Sequence, residues 1–106
     1  MSERDSNIQK IITGFREEID QLDSQLLGIF NRRASLALEI GRIKKILQLP
    51  VYDPSREKLI FERMKKDNPG PLDDGAVIRL FERVIDESRR LERIMTHPEE
   101  TVAKEL

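Results

Sequence analysis

Residues 7–47 read NIQKIITGFREEIDQLDSQLLGIFNRRASLALEIGRIKKIL, with no proline among them. The apolar residues Ile12, Phe15, Ile19, Leu22, Leu26, Ile29, Leu36, Ile40, Ile43 and Leu47 recur in steps that fit one alternating three-and-four pattern. That spacing lines up a single face of an α-helix. Gly14, Gly28 and Gly41 interrupt the run, each at a cost of about 1 kcal/mol relative to Ala. With Ala34 and Ala37 nearby, Gly28 and Gly41 predict close helix packing and not a break. The helix stops before Pro50, whose ring disfavours helical geometry at Leu49.

Working outward, Asp53-Pro54 announces a second helix: a carboxylate cap, then proline at the first helical position. This helix is expected to reach about Asp67 and to bury Leu59, Ile60 and Met64. Asn68-Pro69-Gly70-Pro71 breaks it. A third helix opens on Asp73 as its cap and aligns Val77, Phe81, Val84, Leu91 and Met95 in one stripe, fraying before Pro98. Residues 97–106 (HPEETVAKEL) read as a tail or linker, which leaves 1–96 as the domain. No strand alternation and no repeat is seen. The fold class is all-α, with one very long helix and two shorter ones.

The long helix has a geometric consequence. Roughly 40 residues at about 1.5 Å each make a rod near 60 Å long. A compact globule of this chain length has a radius of gyration of only about 13 Å. Two short helices cannot cover the apolar stripe of the long one from end to end. The expectation is association, most simply an antiparallel, two-fold homodimer of intertwined chains. The rival is a first helix broken at Gly28 or Gly41, folding as a monomeric bundle.

Composition narrows the chemistry. The chain has 106 residues, 19 Lys and Arg against 20 Asp and Glu, and a formal net charge of −1. Such a balance argues against a dedicated nucleic-acid or anionic-membrane binder. With no Cys, disulfides, thiol nucleophiles and thiolate metal sites are excluded. A single His, His97, leaves no His-cluster chemistry, and the acids lack ligand spacing, so neither a metal nor a cofactor is expected. No apolar run approaches membrane-spanning length and residues 1–10 lack a signal-peptide core, so the expected compartment is the cytoplasm.

Several polar residues stand where apolar ones belong. Arg33 takes a seam position between Leu26 and Ile40. It is either an arginine laying its stem along the seam or a cation aimed at a ligand. Lys44 lies eleven residues on, about three turns, so it leaves from nearly the same face about 16 Å along the axis. The pair is either two solvated bases or a clamp for a small dianion. Ser88 interrupts the third helix between Val84 and Leu91, and Glu92 continues the column Ile78–Ile85. A glutamate on an apolar column must find a partner or become protonated. Asp53, Arg56 and Glu57 crowd the first turn of the second helix. Arg16 is about 25 Å from Arg33 and on a different face, so one chain cannot bring both onto one small ligand. A two-fold partner running the other way can.

The segments REEID from Arg16, RRASLALEIGRIK from Arg32 to Lys44, LPVYDPSRE from Leu49 to Glu57 and IRLFERVIDESRRLE ending at Glu92 together resemble the all-helical class of chorismate mutases. The mutase domains of bacterial bifunctional chorismate mutase/prephenate dehydratase proteins are similar. The resemblance spans about Arg16 to Arg93 and implies an intertwined homodimer of three-helix chains. It implies that Arg33 and Lys44 hold the carboxylates and ether oxygen of chorismate, and that Arg16 is donated by the opposite subunit. Asp53 and Glu57 match groups that contact the ring hydroxyl, Arg56 a pocket-lining arginine, and Ser88 a side chain near the ring carboxylate. Glu92 falls where many bacterial members carry Gln, a donor to the ether oxygen. An ionised carboxylate cannot donate, so a working Glu92 is expected to be protonated. The implied reaction rearranges chorismate to prephenate without nucleophile, metal or redox cofactor, by conformer selection and electrostatic stabilisation. Two alternatives stand beside it: isochorismate-pyruvate lyase on the same scaffold, and a non-catalytic helical dimerisation or regulatory module.

Overall fold

The structure is a computed structural model, and it describes residues 2–96. Three α-helices follow in order: α1 (Glu3–Ile46), α2 (Pro54–Asp67) and α3 (Asp74–Thr96). No strand occurs among the described residues. The expected tail 97–106 and His97 lie outside them. Among the described residues no helix is long and apolar enough to cross a membrane.

Helix α1 starts four residues earlier than the proline-free run suggests, because Ser2 caps it. The Asp5 amide donates to Ser2 Oγ at 3.1 Å and the Ser6 amide to the Ser2 carbonyl at 3.0 Å. The helix is unbroken through Gly28 and Gly41. It ends in a paired reverse turn: the Leu49 amide donates to the Lys44 carbonyl at 2.7 Å and the Gln48 amide to the Lys45 carbonyl at 3.2 Å. This closure puts Gln48 at a φ of 57°, the left-handed position more often taken by glycine.

The chain divides into two units, one reaching to Arg32 and one starting at Arg33. The first is the N-terminal part of α1 alone. Its apolar residues stay in water: Phe15 is 61% exposed and Leu22 56%. The glycine expectation splits. A Cβ at Gly28 would meet nothing within 4 Å, so no close packing is made there within the chain, whereas Gly41 is buried in a tight contact.

In the second unit α2 packs on α3. The buried apolar residues are Val51, Ile60 and Ile85, and they are matched by buried polar ones, Ser88, Glu92 and Thr96. Two core expectations fail here. Leu59 is 59% exposed, because Ile60 takes the inward direction on α2 and its neighbour points about 100° away. Met95 is 58% exposed, and the rest of the Val77–Met95 stripe is only half-buried. The inward line of α3 is instead Ile85, Ser88, Glu92 and Thr96, rotated by about one residue. The helix turns its polar column inward because the space it faces is a cavity.

Both predicted caps form. The Arg56 amide donates to Asp53 Oδ1 at 3.1 Å and the Ala76 amide to Asp73 Oδ1 at 2.7 Å. Between α2 and α3, Asn68 Oδ1 accepts from the Gly70 amide at 3.0 Å, and its Nδ2 donates to the Leu72 carbonyl at 2.8 Å and to Asp74 Oδ1 at 2.9 Å. Gly70 sits at a φ of 75°, where glycine avoids the steric penalty of a Cβ. Replacing the α3 cap, Asp73→Ala, is expected to destabilise the protein by about 1 kcal/mol. Denaturant unfolding at matched protein concentration measures it; an unmoved midpoint means the cap contributes nothing.

Candidate active site

A cavity of about 480 Å³ opens in the second unit, within the range of small-ligand sites. Its polar lining is Arg33, Lys44, Asp53, Arg56, Glu57, Ser88, Arg89 and Glu92; Leu36, Ala37, Ile40, Val51, Ile60 and Ile85 supply the apolar remainder. Seven of the eight site residues expected from the sequence therefore share one cavity. Arg16 belongs to the other unit and is not among its lining residues.

Helical phase explains the convergence. Arg33, Ala37, Ile40 and Lys44 recur in steps of four, three and four residues, one face of α1. Ile85, Ser88 and Glu92 do the same on α3. The Asp53 cap and the first turn of α2 bring Asp53, Arg56 and Glu57 to a third side. Arg33 Nη1 donates to Ser88 Oγ at 3.2 Å, fixing both seam-breaking residues at once. Lys44 Nζ donates to the Val51 carbonyl at 3.0 Å, tying α1 to the segment that leads into α2.

Electrostatics marks the place further. Burial, then repulsion from Arg56 and from Arg63, holds the Arg33 guanidinium below its ordinary pKa. A group of like charges crowded at low water access gains stability from a bound anion that relieves the repulsion. Among the described residues no group of three or more His, Asp or Glu side chains is placed to hold a metal ion.

Glu92 is 7% exposed and sits against Gly41. A Cβ on Gly41 would stand 3.1 Å from Glu92 Cγ, 3.3 Å from its Cβ and 3.3 Å from Thr96 Oγ1. Thr96 Oγ1 in turn donates to the Glu92 carbonyl at 2.5 Å. The missing side chain at Gly41 is what lets α3 bring Glu92 so close to α1.

Sequence reasoning missed Arg89, which lies one residue past Ser88 and about 100° off the inward line. Its Nη1 reaches Glu57 Oε2 at 3.4 Å and its Nη2 pairs with Asp86 Oδ1 at 2.6 Å. The guanidinium lies over the Tyr52 ring, 4.8 Å from the centroid. Only the Asp86–Arg89 spacing is visible locally; the Glu57 and Tyr52 contacts join residues distant in sequence. Arg63 was missed as well, although its place seven residues beyond Arg56 puts both on one face of α2.

Residues 15–93 match the family model described as chorismate mutase type II. The chain is 37% identical over 89 residues to a bifunctional chorismate mutase/prephenate dehydratase of Neisseria gonorrhoeae, covering 84% of this chain and 24% of that protein. It thus spans about a quarter of the length of such bifunctional relatives. A chorismate mutase of Methanocaldococcus jannaschii is 33% identical over 79 residues, 74% of this chain and 80% of that one. Among solved structures, chorismate mutase form II from Thermus thermophilus is similar with a TM-score of 0.78 at 34% identity, covering 81% of this chain and 98% of that one. Chorismate mutase from Helicobacter pylori in complex with prephenate is similar with a TM-score of 0.73 at 29% identity, covering 92% and 98%.

Gly41→Ala tests the close approach. Helix propensity alone stabilises the variant by about 1 kcal/mol, but atoms near the α3 backbone must move, and overpacking typically costs about 1–3 kcal/mol. The expected net result is a loss of about 1 kcal/mol in chemical denaturation; a more stable variant shows the contact to be slack.

Proposed function

The chain belongs to the chorismate mutase type II family, and we propose that it rearranges chorismate to prephenate in the cavity between Arg33, Lys44, Glu57 and Glu92. The observation that carries this reading is one cavity joining four cations on three helices, Arg33, Lys44, Arg56 and Arg89, to a serine and a buried glutamate. Chorismate is a dianion. Its rearrangement breaks one C–O bond and forms one C–C bond within the same molecule, with no proton transferred.

The chain's own side chains have two tasks. Arg33 and Lys44 hold the carboxylates and keep the molecule folded in its compact, reactive conformer. The same cations, with Glu92 donating, match the negative charge that grows on the ether oxygen as the C–O bond breaks. Ser88, aligned by Arg33, lies toward the ring carboxylate, while Asp53 and Glu57 accept from the ring hydroxyl and Arg56 lines the same wall. Neither metal nor redox cofactor enters these steps. The cytoplasm, where soluble biosynthetic enzymes work, is the compartment this reading implies.

Arg16 enters from a second copy of the chain. The exposed apolar face of α1 supports a homodimer in which each cavity receives the partner's arginine. Two activity experiments test this. Arg33→Ala lowers kcat/KM for chorismate by roughly 100- to 1000-fold, the usual effect of removing one electrostatic donor, followed by spectrophotometric chorismate consumption. Arg16→Ala is similarly impaired alone. Co-refolding the two variants restores about a quarter of wild-type activity, because half the two-fold dimers are mixed and each mixed dimer has one intact site. No restoration rules out a shared site.

The second test concerns Glu92. In general burial disfavours a charged carboxyl and neighbouring cations favour it; Glu92 is buried in a cavity also lined by Arg33 and Lys44 on α1, Arg56 on α2 and Arg89 on α3. The anions Asp53 and Glu57 favour the neutral form. We infer that the protonated form is the active one, since only it donates to the ether oxygen. Activity then falls as pH rises through the Glu92 pKa, and Glu92→Gln, which donates at any pH, flattens that limb. An unchanged profile in the Gln variant removes the role.

A further inference from the structure

Three contacts outside the proposed catalytic set converge on Arg89. It pairs with Glu57 from α2 at 3.4 Å, with Asp86 from its own helix at 2.6 Å, and lies 4.8 Å over the Tyr52 ring. Its side chain and that of Glu57 are both about four-fifths buried, at 21% and 19% exposure. Tyr52 belongs to a three-residue segment, Val51-Tyr52-Asp53, tied down at every position. Val51 accepts from Lys44 on α1, Tyr52 stacks under Arg89 of α3, and Asp53 caps α2. Arg89 thus grips both the α1–α2 connection and the α2 carboxylate beside it.

We propose that Arg89 is a positioning residue for Glu57 and thereby sets the cavity's selectivity for a substrate bearing a ring hydroxyl. The inference rests on the chorismate reading, which gives Glu57 that hydroxyl as its partner. A guanidinium suits this work better than an ammonium would. Its planar fork pairs with Asp86 through one nitrogen and Glu57 through another, while its face stacks on an aromatic ring. Asp86 holds the fork from outside the cavity, so the free direction of Arg89 is toward Glu57. A carboxylate on the first turn of a helix has several rotamers open to it; one partner across the cavity wall selects among them. Without Arg89, Glu57 still accepts a hydrogen bond, but from a position the hydroxyl must find.

The experiment compares two substrates in the full-length protein: chorismate, and chorismate lacking the ring hydroxyl. Arg89→Met is expected to lower kcat/KM for chorismate by about tenfold or more, the scale of a small misplacement of a binding group. The loss for the deoxy compound, which makes no use of Glu57, is expected to be several-fold smaller. In the Glu57→Gln background, Arg89→Met costs several-fold less on chorismate than it does in the wild-type protein. Arg89→Lys, which keeps the charge without the fork, falls between Arg and Met. A loss that is equal on both substrates, or additive with Glu57→Gln, overturns the inference and leaves Arg89 as a plain structural ion pair. If Arg89→Met fails to fold, Arg89→Lys carries the same two-substrate comparison. Absence of chorismate turnover in the wild-type protein overturns the functional reading itself, and this inference with it; wild-type turnover with a substrate-blind Arg89 effect overturns only the latter.

Discussion

A cation placed where the helix pattern calls for an aliphatic residue is the constraint on which the rest depends. Arg33 interrupts the apolar face of α1, where burial first, and then repulsion from Arg56 and Arg63, lowers its pKa from the ordinary value. Left alone, that arrangement costs stability: water is partly withdrawn and like charges face one another. The fold offsets part of the cost with the Ser88 hydroxyl, and the dianion of the proposed reaction would offset more. A binding site prepared this way needs no reorganisation when its ligand arrives, because its dipoles and charges are already set.

Gly41 shows how the backbone serves that choice. An alanine there would be the better helix former, yet the Cβ would meet Glu92 at 3.1 Å. Glycine trades helix propensity for the approach of a carboxyl side chain to α1. At the opposite wall, Val51-Tyr52-Asp53 is short and carries one tie per residue, to Lys44, Arg89 and the α2 amide respectively. Each tie uses a cavity-lining residue or its immediate neighbour, so the site and the loop hold each other in place.

Most of the fold was legible because its signals are local. Two caps, two proline breaks and a long three-and-four pattern placed the helices to within a few residues. The early start of α1 was missed although Ser2 and Asp5 have capping spacing; the apolar pattern begins later and drew the boundary inward. The site was legible through residues that break pattern: Arg33, Ser88 and Glu92 stand out because an aliphatic residue belongs there. Arg89 breaks no pattern, since it lies beside the inward line among other arginines, and its partners are 32 and 37 positions away in the chain. The phase of α3 was misread for a physical reason. Apolarity marks the inward face of a helix packed into a core, while the face that looks into a cavity is the polar one, and Met95 on α3 is exposed.

Of the ten apolar residues that define the α1 seam, all but Ile12 are exposed in the single chain. Fully burying side chains of this kind is worth about 1.5–3 kcal/mol each. The nine are 44–61% exposed, so about half of that gain remains for each, and together they represent a driving force on the order of the whole stability of a small domain, about 5–15 kcal/mol. A surface of that size is not maintained against water by a chain whose own buried apolar set is Val51, Ile60 and Ile85. In the proposed homodimer a second copy would cover this face by two-fold symmetry, and an antiparallel seam would bring Arg16 of one chain to the cavity of the other. In that arrangement burial of the seam and completion of the site are one event. Under that proposal the long helix would serve two ends: its apolar face would drive association, and its interruptions, Arg33 and Gly41, would make room for the cavity beside it.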